Sequence, residues 1–281
     1  MKRLVYFLVI LSILMFACSI PSVPTQPSAT LTPVVTDIPI PTDTSVPTDT
    51  TVPTVNPVPV ANVTCNELSF YLDPVLASGY NCDTVPENAE GIEITPQYTN
   101  LTLQGYILSS KFFDAHISIF PVQRYTQLLP DHIPPQVTDL QALIGGGSTG
   151  NSLPLLPIFN AAQVFHAQYQ VVPFINGGGI RFITLYAQYY APINNHDLFY
   201  TYQGLTSDGL YWVSAILPIN NPILPANGDT PPGGMSQEQF TANYEPYITD
   251  LTSQLNSQTS DSFTPSLAAL DALVASITIQ P

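Results

Sequence analysis

Apolar and polar positions divide this chain into three stretches of different texture. Leu4 to Ala17 is an almost unbroken apolar run, interrupted only by Ser12 and preceded by Lys2 and Arg3. Ser19 to about Val60 holds ten prolines and ten threonines and has no Lys, Arg, Gly or aromatic residue. Beyond it the texture is globular, and runs rich in Val, Phe and Tyr are punctuated by turn residues. Val164 to Phe174 reads as a strand, Asn176-Gly177-Gly178-Gly179 as a tight turn needing positive φ, and Ile180 to Tyr190 as the returning strand. Leu198 to Leu205 and Leu210 to Leu217 follow, joined by Ser207-Asp208-Gly209. Four consecutive strands on short turns predict an antiparallel meander. Further strands are expected at Gly105 to Ser110 and Ala115 to Phe120.

Helical spacing appears on either side of the meander. Pro135 to Ile144 carries Val137, Leu140 and Ile144 at intervals of three and four and stops at Gly145-Gly146-Gly147. Ser236-Gln237-Glu238-Gln239 has the form of a capping box, with Phe240, Tyr244, Ile248, Leu251 and Leu255 behind it. Pro246 interrupts that run, which predicts a kink or a restart. In the last helix Thr264 is the expected cap, Pro265 the first helical residue, and Leu267, Leu270, Leu273 and Val274 the core stripe. The fold class is therefore α+β, an antiparallel meander sheet flanked by helices.

The leader bears on location. Its fourteen residues, rising about 1.5 Å each, cover roughly 21 Å as a helix, short of a bilayer core of about 30 Å. That is an export signal rather than a span. Cys18 directly follows Leu14-Met15-Phe16-Ala17. The pattern resembles the lipobox of bacterial lipoproteins, in which a small residue precedes the cysteine that takes the lipid. The resemblance implies acylation of Cys18, a membrane partner through that lipid, and an extracytoplasmic location. Ordinary cleavage after Ser19 is the alternative. The organisation expected is a signal peptide over 1–18, a disordered Pro/Thr-rich stalk over 19–60 and one globular domain over 61–281. If Cys18 is lipidated, Cys65 and Cys82 remain as an even pair in an oxidising compartment, which suggests a disulfide; two separate buried thiols are the other reading.

Proline removes amide donors and fixes φ, so the stalk favours polyproline-II at about 3.1 Å per residue. The six-residue repeat Pro41-Thr42-Asp43-Thr44-Ser45-Val46 and Pro47-Thr48-Asp49-Thr50-Thr51-Val52 suits a spacer. Only Lys111, Arg124 and Arg181 lie beyond the leader, against all 20 acids, a formal balance of −17. No basic surface exists to neutralise phosphates, so nucleic acid is excluded as a partner.

The order of paired strands, long amphipathic helix and final helix running into Ile277-Thr278-Ile279 is similar to the C-terminal half of PsbP-like α/β/α sandwich domains. That family is mostly non-enzymatic, and no functional residue carries over. The chain also resembles Thr/Pro-stalked lipoproteins of environmental bacteria, which supply no function.

Candidate chemistry is sparse. Gly146-Gly147-Ser148-Thr149-Gly150 matches G-x-S-x-G, but an esterase elbow needs a strand before the serine and a helix after it. A helix is expected before Ser148, and Pro154 and Pro157 follow, so a glycine loop is the plainer reading. Asp114 and His116 would share a strand face and, with His166 or His196, could bind metal; an ordinary strand histidine is the plainer reading. His196-Asp197 falls in a loop. Asp83, Glu87, Glu90 and Glu93 form an acidic run without a calcium-loop pattern. Gly177-Gly178-Gly179 lacks the following Lys-Ser/Thr of a phosphate cradle. Tyr186, Tyr189, Tyr190, Tyr200, Tyr202, Tyr211 and Trp212 crowd the meander, and Tyr200, Tyr202, Tyr211 and Trp212 are singled out as a ligand surface, with tyrosines at a sheet rim as the plain alternative. The function expected is a non-catalytic binding module for an unknown protein or glycan, without cofactor or bound metal. A hydrolase using Ser148 or an Asp/His pair, and a weak metal scaffold, are the alternatives.

Overall fold

The structure, a computed structural model, describes residues 59–280. The leader, Cys18 and the stalk up to residue 58 lie outside the described residues. In chain order the strands are β1 Val63–Cys65, β2 Leu68–Phe70, β3 Gly79–Val85, β4 Tyr98–Gln104, β5 His116–Pro121, β6 Ala162–Gln163, β7 Ala167–Phe174, β8 Gly177–Thr184, β9 Tyr186–Ala187, β10 Phe199–Thr206, β11 Tyr211–Pro218 and β12 Thr278–Ile279. The α-helices are α1 Val122–Leu128, α2 Ile133–Ile144, α3 Gln237–Ala242, α4 Tyr244–Ser257 and α5 Leu267–Ala275.

Seven strands form one sheet in the order β3-β4-β5-β11-β10-β8-β7, every neighbouring pair antiparallel. The expected meander is present as β7-β8-β10-β11. A second meander, β3-β4-β5, joins it where β5 pairs with β11. The expected strand at Gly105 to Ser110 is instead loop, with positive φ at Gly105 (60°) and Ser110 (56°). The strand lies just before it, in β4, where Thr99, Leu101 and Leu103 point inward at a period of two. The strand expected to run to Tyr190 ends at Thr184, and the chain continues into β9, which pairs with β6.

Both faces of the sheet are covered. One packs against α4, α5 and the small sheet β1-β2-β12, through Phe70, Leu255, Leu267, Leu270 and Val274. The other packs against α1, α2 and the segment around Leu153 to Leu156, through Tyr125, Ile133, Leu140 and Leu143. Successive residues of one strand consequently enter different cores: Tyr200 and Tyr202 the first, Phe199 and Leu205 the second. This is why β10 is buried at every position rather than at alternate ones.

The three glycines placed in the turn are in fact the start of β8, and the turn is Ile175-Asn176. Their use is close approach. A Cβ on Gly179 would lie 2.4 Å from the Gln203 carbonyl oxygen and 2.6 Å from Cζ of Tyr202, and one on Gly204 would lie 2.6 Å from the same ring. The Tyr202 ring fills the shelf that these glycines leave on neighbouring strands. At the other hairpin Asp208 accepts from Thr206 Oγ1 (2.6 Å) and from the Leu210 amide (3.0 Å), and Gly209 takes φ 72°.

The helix termini follow local chemistry. Ser236 and Gln239 form the capping box reciprocally: the Ser236 amide donates to Gln239 Oε1 (2.9 Å) and the Gln239 amide to Ser236 Oγ (3.2 Å). The restart occurs at Asn243, so Pro246 falls in the first turn of α4, where its missing N–H breaks no intrahelical bond. The cap of α5 is Ser266, not Thr264, because Thr264 is drawn into a bridge with Asn220.

Cys65 of β1 and Cys82 of β3 are disulfide-bonded across 17 residues of sequence, with Cα atoms 5.6 Å apart. The bridge ties the small sheet to the edge of the large one. A loop of this length is worth about 3 kcal/mol in the chain-entropy model. Cys65→Ala/Cys82→Ala is therefore expected to lower the Tm by roughly 6–12 °C, at about 2–4 °C per kcal/mol for a domain of this size. A melting curve that the double substitution leaves unmoved would show that the sheets hold together without the bridge.

Candidate functional site

The two most exposed tyrosines lie off the sheet, on the loop from β9 to β10. Tyr189 is 66% and Tyr190 53% exposed. The loop beneath them is held rigidly. Asn194, fully buried, accepts from the amides of His196 (2.9 Å) and Asp197 (3.1 Å) and donates to the Pro192 carbonyl (3.0 Å) and Asp197 Oδ2 (2.8 Å). From α4, the Tyr244 hydroxyl donates to the Ala191 carbonyl (3.0 Å), and the Tyr247 hydroxyl accepts from the Ile193 amide (2.9 Å). Burial, followed by the neighbouring Tyr247, pushes the Tyr244 phenol up to about 12. The ring of Tyr190 meets that of Tyr244 edge-on, centroids 4.9 Å apart. Such a platform is preorganised: its rings need little ordering when something binds.

Two clefts flank this ridge. One, of about 560 Å³, lies between Tyr189, Tyr190, His196 and Asp197 on one side and Asn227, Asp229 and Gln237 on the other. Its far wall is close-packed, since a Cβ on Gly228 would lie 2.9 Å from Nδ2 of Asn194. The other, of about 940 Å³, lies between the ridge and the segment Phe159 to Val164, with Tyr244 also lining it. The β6–β9 pairing sets that segment, and Gln163 donates to the Tyr186 hydroxyl (2.9 Å) while accepting from the Leu153 amide (2.9 Å). Gln188 donates to the Asn160 carbonyl. Neither cleft is lined by Lys or Arg. The amine of Lys111 is engaged by the Asn195 carbonyl and Asn220 Oδ1, and burial lowers its pKa despite the opposing pull of Asp197.

The structure places the expected site residues as follows. Tyr200, Tyr202 and Trp212 are fully buried, so they present nothing to a ligand; Tyr211 is half-buried. The correction has a direct cause: helices cover both faces of the sheet, so inward rings on either side enter a core. Their polar ends bond internally, Tyr200 to Asp271 Oδ1 (3.0 Å), Tyr202 to the Val172 carbonyl (3.0 Å) and Trp212 to Gln203 Oε1 (2.7 Å). Ser148 is exposed in coil after α2, and no helix follows it before the two-residue β6, so the elbow is not formed. His116 opens β5, and its Nδ1 lies 2.8 Å from the Asp114 carbonyl. Burial lowers its pKa. Among the described residues no three His, Cys, Asp or Glu side chains come together as metal ligands. Of the acidic run, Glu87 pairs with Arg124 (2.5 Å), which lowers its pKa.

The His196–Asp197 pair does form, Nδ1 to Oδ1 at 2.6 Å, and it lies in the smaller cleft. Tyr189 and Tyr190 belong to the tyrosine-rich stretch visible in the sequence, whereas nothing local marks Asn227, Asp229 and Gln237 as their neighbours. The available signal was the density of Asn, Asp, Pro and Gly over 191–197 and 220–231, which marks loops but not that they meet. The chain matches no protein-family model, no curated protein and no solved structure.

Proposed function

We propose that the protein is an exported, lipid-anchored binding module that presents a glycan-binding face outside the cytoplasm. Acylated Cys18 holds it to the membrane, residues 19–60 act as the spacer, and the Tyr189–Tyr190 ridge with its two clefts is the ligand face. One observation carries the reading: two adjacent exposed tyrosines on a rigid loop, flanked by clefts bearing Asn, Gln and Asp side chains. Aromatic faces stack on the apolar face of a pyranose, while planar amides and carboxylates hydrogen-bond its hydroxyls. A PsbP-like α/β/α arrangement belongs to the same proposal and agrees with a non-enzymatic role.

The experiment is glycan-array binding by the full chain beside Tyr189→Ala/Tyr190→Ala. Both side chains are exposed, so folding is expected to be unchanged, while affinity falls by about tenfold per ring, the equivalent of roughly 1.4 kcal/mol each. Affinity indifferent to both rings would remove the reading. Cys18→Ser is expected to release the protein from the membrane fraction, and unchanged fractionation would count against the anchor.

The His196–Asp197 bond supports a second reading, a hydrolase in which the carboxylate orients the imidazole as general base. Turnover of a bound glycan, lost in His196→Ala with binding retained, would favour it.

A further inference from the structure

We infer that the ligand is a cationic glycan, an oligosaccharide carrying free amino groups; the inference rests on the glycan reading above. The smaller cleft contains two carboxylates, Asp197 and Asp229, and no Lys or Arg lines either cleft. Asp229 is exposed and forms no ion pair among the described residues. Asp197 is oriented by His196 and Asn194. A sugar acid, sulfate or phosphate ester would therefore bring its negative charge against two others, in a cleft whose one basic group, His196, is already bonded to Asp197. An ammonium group in the same cleft would have Asp229, unpaired among the described residues, available as a carboxylate partner.

The tyrosines point to the same class. A cation over an aromatic face within about 6 Å of its centroid is attracted by the ring quadrupole, so Tyr189 and Tyr190 serve both the apolar face of an amino sugar and its ammonium. Beyond the cleft, the formal balance of −17 past the leader produces a field that concentrates cations and disfavours anions. Amides at Asn227 and Gln237 on the opposite wall remain for the hydroxyls.

The test is calorimetric titration of the full chain with three probes of equal length: oligo-glucosamine, its fully N-acetylated counterpart, and oligo-galacturonate. Oligo-glucosamine is expected to bind at least tenfold more tightly than the acetylated oligomer and to lose most of that margin in high salt, as surface charge interactions are screened. Oligo-galacturonate is expected not to bind. Asp229→Asn should cut affinity for oligo-glucosamine several-fold more than affinity for the acetylated oligomer, narrowing the margin between them. Equal or tighter binding of the acetylated or acidic oligomer, abolished by Tyr189→Ala/Tyr190→Ala, would overturn the cationic assignment and leave the glycan face standing. Binding of none of the three, or binding indifferent to those tyrosines, would overturn both.

Discussion

Gln203→Ala is expected to destabilise the domain by about 3–5 kcal/mol, through two orphaned buried donors and the cavity left behind. The side chain lies on β10 facing the core under α2, where it is fully buried. Its oxygen accepts from the Trp212 indole (2.7 Å) and the Leu156 amide (3.0 Å), and its nitrogen donates to Thr201 Oγ1 (2.8 Å) and Ser214 Oγ (2.9 Å). Ser214 Oγ in turn donates to the Leu156 carbonyl (2.5 Å). One amide thus joins two strands to the loop that closes this core. In the alanine variant the Trp212 and Leu156 N–H groups lose their acceptor where water has little access. At about 2–4 °C per kcal/mol the Tm should fall by roughly 10 °C, measurable by thermal unfolding. A fall of only a degree or two would mean that water or a neighbouring group replaces the amide.

Arg181→Met is expected to cost a similar amount at neutral pH and distinctly less in acid. Arg181, 6% exposed, lies on β8 beneath α5. Its Nε sits 3.3 Å from Asp271 Oδ1, an ion-pair distance without hydrogen-bond geometry. The guanidinium donates instead to the Gln168 carbonyl and to Gln170 Oε1 (2.8 Å). The Tyr200 hydroxyl donates to the same Asp271 oxygen (3.0 Å). Burial raises the Asp271 pKa above its usual 3.8, and Arg181 is the leading influence holding it down. Removing one member of a buried pair typically costs about 3–5 kcal/mol, because the other charge is left uncompensated.

The pH dependence follows from linkage. A carboxyl whose folded pKa lies above its unfolded value binds more protons when folded. Its favourable contribution is present below the unfolded pKa and is lost as pH rises through the folded one. Without Arg181 the folded pKa of Asp271 rises further, so the window of lost stability widens upward from about 3.8. Urea unfolding at neutral pH and near pH 4 should show the larger deficit at neutral pH. The double variant Arg181→Met/Asp271→Leu should recover much of it, since apolar replacement of a whole buried pair is often neutral. Equal deficits at both pH values would show that Asp271 stays ionised throughout.

Much of the fold is legible in neighbouring residues. The meander strands, the Ser207-Asp208-Gly209 hairpin and the Ser236–Gln239 box all depend on groups within a few positions of one another. Local signals are overridden where a distant segment intervenes: Thr264 pairs with Asn220 rather than capping α5, and Gly179 makes room for the Tyr202 ring rather than turning the chain. β1, β2 and β3 carry no clear local signal because each is short or exposed, and their pairing and the disulfide hold them together.

The site shows the same division more sharply. Sequence alone determined that the meander region is rich in tyrosine and that acid far outweighs base, since composition needs no fold. Tertiary structure alone decided that Tyr200 and Tyr202 lie in a core while Tyr189 and Tyr190 face solvent. The reason is that a strand alternates its side chains whatever lies above or below it, whereas exposure depends on which faces the helices cover. The residues opposite the ridge, Asn227, Asp229 and Gln237, come from 37 to 48 positions further along the chain, and the packing of Gly228 against Asn194 brings that loop there.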